Sequence, residues 1–130
     1  LAKGAYVLAD APGGAPDVVL MSSGSEVALV LAAQTKLAEA GVRARAVSMP
    51  SHEIFAAQPL AYQDEVLPPG SKRVAIEAAH PMSWYRWVGS DGIVIGIDHF
   101  GASAPYADIY KGLGLTVDKL VEAARGLVAR

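Results

Sequence analysis

The stretch Val18–Val27, VVLMSSGSEV, decides the predicted fold. Its apolar residues form a run of strand length. Small polar residues and glycine end this run, and a helix begins after them. The later stretch Gly92–Pro105, GIVIGIDHFGASAP, repeats this order. In open α/β sheets, ligands usually bind in the crevice beyond the carboxyl ends of such strands. The two stretches therefore predict an α/β sheet with a ligand crevice at one edge.

Strands and helices alternate along the rest of the chain. We predict strands over 5–9, 17–22, 42–49, 73–78 and 92–98. The helices between them cover 23–41, two short segments within 51–67 that break near Pro59, and 82–88. After the last strand, Pro105 starts a helix that Gly112 ends, and Thr116 caps a final one. Its stripe, Val117, Leu120, Val121, Ala124, Leu127 and Val128, is typical of a helix buried on one face.

This order of elements predicts a three-layer, Rossmann-like α/β fold with helices on both faces of an open sheet. The sheet should have about five strands, four of them parallel. The turn at 11–16 is too short for a crossover, so strand 5–9 should be an antiparallel edge strand paired with strand 17–22. Strand 92–98 is apolar almost throughout and should lie at the centre of the sheet.

Composition places the chain among globular domains. Its 130 residues are 52% hydrophobic and 18% charged, which excludes disorder and fits a single domain over 1–130. A net charge of −2 gives no electrostatic reason to bind nucleic acid or an acidic membrane, and no segment resembles a membrane span or an export signal. The absence of cysteine excludes disulfides and favours the cytoplasm. Because the chain opens on Leu1, we expect it to be part of a longer protein.

The candidate ligand crevice consists of small, polar and acidic residues that follow the strands. They are Ser23, Gly24, Ser25, Pro50, Ser51, Glu77 and Asp98. The backbone N–H groups at Ser23–Ser25 could hold an anion at a helix terminus. However, Ser23 and Glu26 also match a capping box, and we favour that structural role. Neither nucleotide-binding glycine motif nor the Gly-x-Ser-x-Gly nucleophile motif is present.

Other candidate residues favour structural roles. Glu77 and His80 could form an acid/base pair, but no third group orients the histidine. The three histidines, His52, His80 and His99, lack the spacing of metal ligands. The aromatic residues Trp84, Tyr85 and Trp87 could stack on bases. Without basic residues around them, packing of a short helix on the sheet, or burial of an interface, is the better interpretation.

Taken in order, these motifs resemble the C-terminal domain of the transketolase family over nearly the whole chain, from Gly4 to Val128. His52 departs from the small residue or tryptophan often seen at its position in that family. The resemblance runs through Ser23–Val27, Val47–Ser51, Phe55, Gln58, Tyr62, Val66–Pro68, Arg73–Ala78, Trp84–Tyr85, Val88–Gly89, Phe100–Pro105 and Gly114–Asp118.

The resemblance implies part of an enzyme that transfers a two-carbon ketol unit between sugar phosphates. The intact enzyme would use thiamine diphosphate and a divalent metal, Mg or Ca, and would be a cytoplasmic homodimer. Its cofactor and substrate residues belong to other domains, and this chain has no Gly-Asp-Gly motif. The resemblance therefore implies no catalytic, cofactor-binding or metal-binding residue here, and no activity for this chain alone. Its partners would be the N-terminal and pyrimidine-binding domains.

Two alternatives stay open. The chain could be the equivalent domain of another thiamine-diphosphate enzyme, which would share the fold. It could also be a regulatory module that binds a small anion in the crevice at the carboxyl ends of the strands. Few basic residues lie near those strand ends, and one helix terminus holds an anion weakly. We therefore favour the structural and assembly role.

Overall fold

Ten elements make up the fold in the computed structural model, which describes residues 3–11, 16–22, 27–77, 84–89, 92–96 and 106–129. Side chains are not described at 27, 77, 85, 96 and 106–116. The strands are β1 (Tyr6–Ala9), β2 (Val18–Ser22), β3 (Ala44–Ser48), β4 (Arg73–Glu77) and β5 (Ile93–Gly96). The helices are α1 (Val27–Glu39), α2 (His52–Ala56), α3 (Leu60–Val66), α4 (Tyr85–Val88) and α5 (Tyr106–Val128).

The strands form one five-stranded sheet in the order β1-β3-β2-β4-β5. β3, β2, β4 and β5 run parallel, and β1 pairs antiparallel with β3. This confirms the predicted mixed sheet with one antiparallel edge strand. The predicted pairing of β1 with β2 is wrong, because the β2–α1–β3 crossover places β3 on the side of β2 that a hairpin would have used. Gln34 of α1 joins β1 to its neighbour β3 by donating to Ala9 O at 3.1 Å and Ala44 O at 2.9 Å.

The position of β5 differs from the prediction. The strand lies at the end of the sheet and pairs with β4, and Ile93, Val94 and Ile95 are each half-buried. An apolar run is compatible with a central strand or with an edge strand that helices cover on both faces. The sequence period alone does not separate the two cases.

The helices cover both faces of the sheet. α1 and α5 pack on one face around Leu20, Leu37, Ile76 and Leu120, which form part of the α1–α5 core. The shorter helices α2, α3 and α4 pack on the other face. Alternate residues of β2 point to opposite faces, so Val18 and Leu20 enter the first core while Val19 and Met21 enter the second. The three-layer prediction is confirmed.

α1 ends as its sequence predicts. Gly41 has φ +80°, a left-handed conformation that costs glycine little. Its N–H donates to Ala38 O at 3.0 Å, and the N–H of Val42 donates to Leu37 O at 2.9 Å. These two bonds form a Schellman motif, which satisfies carbonyls that the helix end would otherwise leave unpaired.

α5 is one helix of 23 residues. The prediction that one helix ends at Gly112 and a second begins at Thr116 is therefore wrong. A glycine inside a helix costs about 1 kcal/mol relative to alanine. A break would create two new helix ends, each with unpaired backbone groups. The predicted stripe is confirmed, since Leu120 and Ala124 are fully buried and Val121 packs against the α1–α5 core. No helix in the described part of the chain is long and apolar enough to span a membrane.

Candidate functional site

The central strands end at one level. Ser22 is the register partner of Ser48 in β3 and of Ile76 in β4. The N–H of Met49 donates to Ser22 O at 2.8 Å, which extends the ladder one residue past β3. Pro50 and Ser51 follow directly, and Glu77 is the last residue of β4. The predicted crevice residues that the structure describes therefore share one edge of the sheet. Ser23, Gly24, Ser25 and Asp98 lie outside the described residues, as do Glu26, His80 and His99.

Ser51 has a structural role at this edge. Its hydroxyl oxygen accepts from the N–H of Ile54 at 3.2 Å and caps α2. Its own N–H donates to Gly4 O at 3.0 Å. Gly4 has φ +82°, and a Cβ placed on it would lie 2.4 Å from the N of Phe55. The start of the chain and the start of α2 thus pack too closely for a side chain at position 4.

Two buried serines at this edge were not among the predicted site residues. Ser22 is 0% exposed and Ser48 is 3% exposed. They follow Leu20 and Ala46 at period two, so they lie on the α1 face of the sheet. In the described part of the chain, the Ser22 hydroxyl has no hydrogen-bond partner. A buried unpaired hydroxyl costs stability. The signal in the sequence is a serine at a strand position whose side chain, because side chains alternate between faces, points into the core.

A histidine and two tryptophans pack together on the α2 face. The Nε1–H of Trp87 donates to Nδ1 of His52 at 3.1 Å, and the His52 and Trp84 rings are 4.4 Å apart between centroids. Trp84 is fully buried. Phe55 packs on Trp87 with centroids 5.0 Å apart. The two tryptophans therefore hold α4 against the sheet, as predicted, and also against α2. In this arrangement Nδ1 of His52 is an acceptor for an indole and not a metal ligand.

Two arginines hold the end of α3, and sequence reasoning gave them no role. Arg45 and Arg73 are both register partners of Val19, so they flank it on the α2 face of the sheet. Arg45 donates to Glu65 O at 2.8 Å and to Val66 O at 3.3 Å. Arg73 donates to Leu67 O at 3.1 Å and to Pro68 O at 3.0 Å. Four consecutive carbonyls at the end of α3 are thereby satisfied. We call this pair of side chains the arginine clamp.

Each clamp residue has further partners. Nε of Arg45 donates to Oδ1 of Asp10 at 2.9 Å, and this bond holds the pKa of the Asp10 carboxyl below its usual range. Arg73 also donates to Trp87 O at 2.7 Å and to the Ser71 hydroxyl at 3.0 Å. Burial lowers the pKa of the Arg73 guanidinium, which stays charged at neutral pH. The clamp therefore connects α3, α4 and the loop before β4 to the sheet.

The described residues at the crevice edge contain no cluster of metal ligands. Among the described residues, no group of three His, Cys, Asp or Glu side chains lies close enough together to hold a metal ion. At the crevice edge the described side-chain oxygens are the hydroxyls of Ser22, Ser48 and Ser51, and the Ser51 oxygen caps α2. These residues do not fit the diphosphate and divalent metal that the family resemblance implies for the intact enzyme.

Comparison with known proteins decides the family. A family model described as "Transketolase-like TK C-terminal domain" matches residues 4–116. The chain belongs to this transketolase C-terminal domain family. The match covers the sheet, the arginine clamp and the crevice edge, so the family resemblance seen in the sequence motifs is confirmed.

Curated transketolases and solved structures extend over the same residues. A transketolase from Geobacillus stearothermophilus is 46% identical over 129 residues, 98% of this chain and 19% of its own length. A chromosomal transketolase from Cupriavidus necator is 49% identical, with 98% of this chain and 19% of its own length covered. The transketolase structure from Leishmania mexicana matches with a TM-score of 0.81 and 39% identity, over 98% of this chain and 18% of that one. This transketolase C-terminal domain thus spans about a fifth of these relatives.

Proposed function

We propose that this domain is a structural and assembly part of a transketolase, the enzyme that transfers a two-carbon ketol unit between sugar phosphates. One observation carries the proposal: the chain matches transketolases along nearly its full length but covers only 19% of theirs. Most residues of such an enzyme lie outside this domain, and its catalytic residues would lie among them. The domain would then contribute packing, through a sheet covered on both faces and anchored helices.

In the intact enzyme, thiamine diphosphate and a divalent metal, Mg or Ca, would be held by the other domains. The same proposal includes the N-terminal and pyrimidine-binding domains as packing partners, a homodimer, a cytoplasmic location and inactivity of this chain alone. These assignments rest on the family resemblance.

The regulatory alternative has less support. An anion site at the crevice would need converging donors, yet among the described residues the exposed Pro50 offers no N–H and the N–H of Ser51 already donates to Gly4 O. The helix that Ser51 caps has only five residues. Its terminal dipole is correspondingly small.

The test separates chemistry from assembly. The 130-residue chain, with its folding checked by circular dichroism, is mixed with thiamine diphosphate, Mg²⁺ and a ketose phosphate donor. We expect no turnover and no saturable heat in a calorimetric titration of the cofactor. In parallel, residues 1–130 are removed from the intact protein, and subunit association is measured by sedimentation. We expect weaker association. Turnover by the chain alone, or unchanged association after the removal, would contradict the proposal.

A further inference from the structure

The two most exposed large hydrophobic side chains in the described part of the domain lie on neighbouring short helices. Leu60, at the start of α3, is 70% exposed, and Ile54 of α2 is 45% exposed. Between and beside them, Ala57, Pro59 and Ala61 are also exposed. We call these five residues the α2–α3 patch. Exposed apolar residues grouped in this way mark an interaction site more often than isolated exposed hydrophobic residues do.

The patch also lacks charge. No charged residue occurs from Ile54 to Gln63. The outer face of α5 is different, because its exposed residues include Asp118, Lys119, Glu122 and Arg125. A charged helix face is suited to water, and the depletion of charge is what distinguishes the centre of an interface. The patch is therefore an uncharged part of its helix layer, while exposed Glu53 and Glu65 lie elsewhere on α2 and α3.

The start of the described chain runs beside the patch. Gly4 O accepts from the N–H of Ser51, and Ala5 O accepts from the Tyr62 hydroxyl at 2.8 Å. Nζ of Lys3 lies 4.4 Å from the centroid of the Tyr62 ring. Residues 3–5 therefore lie against the starts of α2 and α3 before the chain enters β1. The family model that matches is a C-terminal domain, and the chain covers 19% of a transketolase relative, so polypeptide directly preceding such a domain would lead into residues 3–5 beside the patch.

We propose that the α2–α3 patch is covered in the intact enzyme by the segment of its own polypeptide that directly precedes this domain. The inference rests on the proposed assembly function and names the surface through which it acts. Tethering by only a few residues gives the preceding segment a high effective concentration at the patch. The segment would contribute apolar side chains to match the five uncharged residues of the patch.

Single cysteines test the proposal, because the domain has none of its own. Leu60→Cys and Ala61→Cys are introduced in the patch of the intact protein, and Glu122→Cys on the outer face of α5 is the matched control. All three positions are exposed in the domain, so the substitutions leave its core untouched. Thiol labelling is followed by mass spectrometry of the peptides from this domain. We expect the two patch variants to be labelled at least about tenfold more slowly than the control, as for positions that react only after a local opening.

A photo-crosslinker attached to the introduced thiol of the Leu60→Cys variant then identifies the covering group. A crosslink within one chain, to the segment that precedes the domain, supports the proposal. A crosslinked product with the mass of two chains overturns it in favour of a second copy. Labelling of the two patch variants as fast as the Glu122→Cys control also overturns it. If the patch is labelled freely in a protein that still needs residues 1–130 to assemble, the surface is wrong and the assembly function stands.

Discussion

Arg73 shows how much a single side chain contributes to this domain. Its guanidinium donates to three backbone carbonyls, those of Leu67, Pro68 and Trp87, and to the Ser71 hydroxyl. The planar group presents several donors in fixed directions, which a lysine ammonium does not. The half-buried position also makes each of these bonds costly to lose, because an unpaired carbonyl there has limited access to water.

We expect Arg73→Lys to lower the free energy of unfolding by about 1–3 kcal/mol, the range for loss of charge-assisted hydrogen bonds. Urea unfolding followed by tryptophan fluorescence measures the change. The control is Arg86→Lys, because Arg86 is exposed and lies over the Trp87 ring at 5.0 Å. A surface change of that kind is worth at most about 0.5 kcal/mol. Equal effects of the two substitutions would mean that the donor geometry of Arg73 is unimportant.

At the scale of the element, α5 provides the clearest test of burial. Leu120 is fully buried and packs in the α1–α5 core, while its neighbour Lys119 is exposed. We expect Leu120→Ala to cost about 2–5 kcal/mol, the range for a large-to-small change in a core. Lys119→Ala should change stability by no more than about 0.5 kcal/mol. Thermal unfolding of both variants checks this. A cost for Leu120→Ala as small as for the control would show that the stripe serves a partner.

The elements themselves were largely predictable from local patterns. The capped end of α1, the two short helices α2 and α3, and the buried stripe of α5 all follow from periodicity and from glycine and proline positions. The errors arose where the outcome depends on distant residues. Whether Gly112 ends a helix depends on what the alternative helix ends would contact. Whether Ile93–Gly96 is a central or an edge strand depends on the order of the whole sheet.

For the whole molecule, β2 is the element on which both cores depend. It is buried along its length, with Leu20 in one core and Met21 in the other. We expect the amides of β2 to exchange hydrogen only through global unfolding, and those of β1 and β5 to exchange at least about tenfold faster through local opening. Native-state hydrogen exchange read by NMR measures both. Protection of β5 equal to that of β2 would show that the edge strand is covered beyond its pairing with β4.

The sequence predicted where the candidate site lies better than it predicted which residues contact one another there. Sequence order put Pro50, Ser51 and Glu77 at the carboxyl ends of strands, and the sheet brings those strand ends together. It did not reveal that Ser22 and Ser48 are register partners, because pairing between strands is not local. The contacts of Arg45 were missed for the same reason, since its acceptors at the end of α3 lie 20 and 21 positions away. Those of Arg73 lie only 5 and 6 positions before it, and no motif in the sequence marks them.

The arginine clamp has a consequence for how the strands find their alignment. Side chains alternate between faces with a period of two residues, so a slip of β3 or β4 by one position along β2 would turn its arginine toward the α1–α5 core. The slipped sheet would bury an unpaired guanidinium and at the same time leave the carbonyls of residues 65–68 without donors. Only the correct register gives both arginines their hydrogen-bond acceptors. The clamp therefore disfavours pairing of the three central strands in a wrong register.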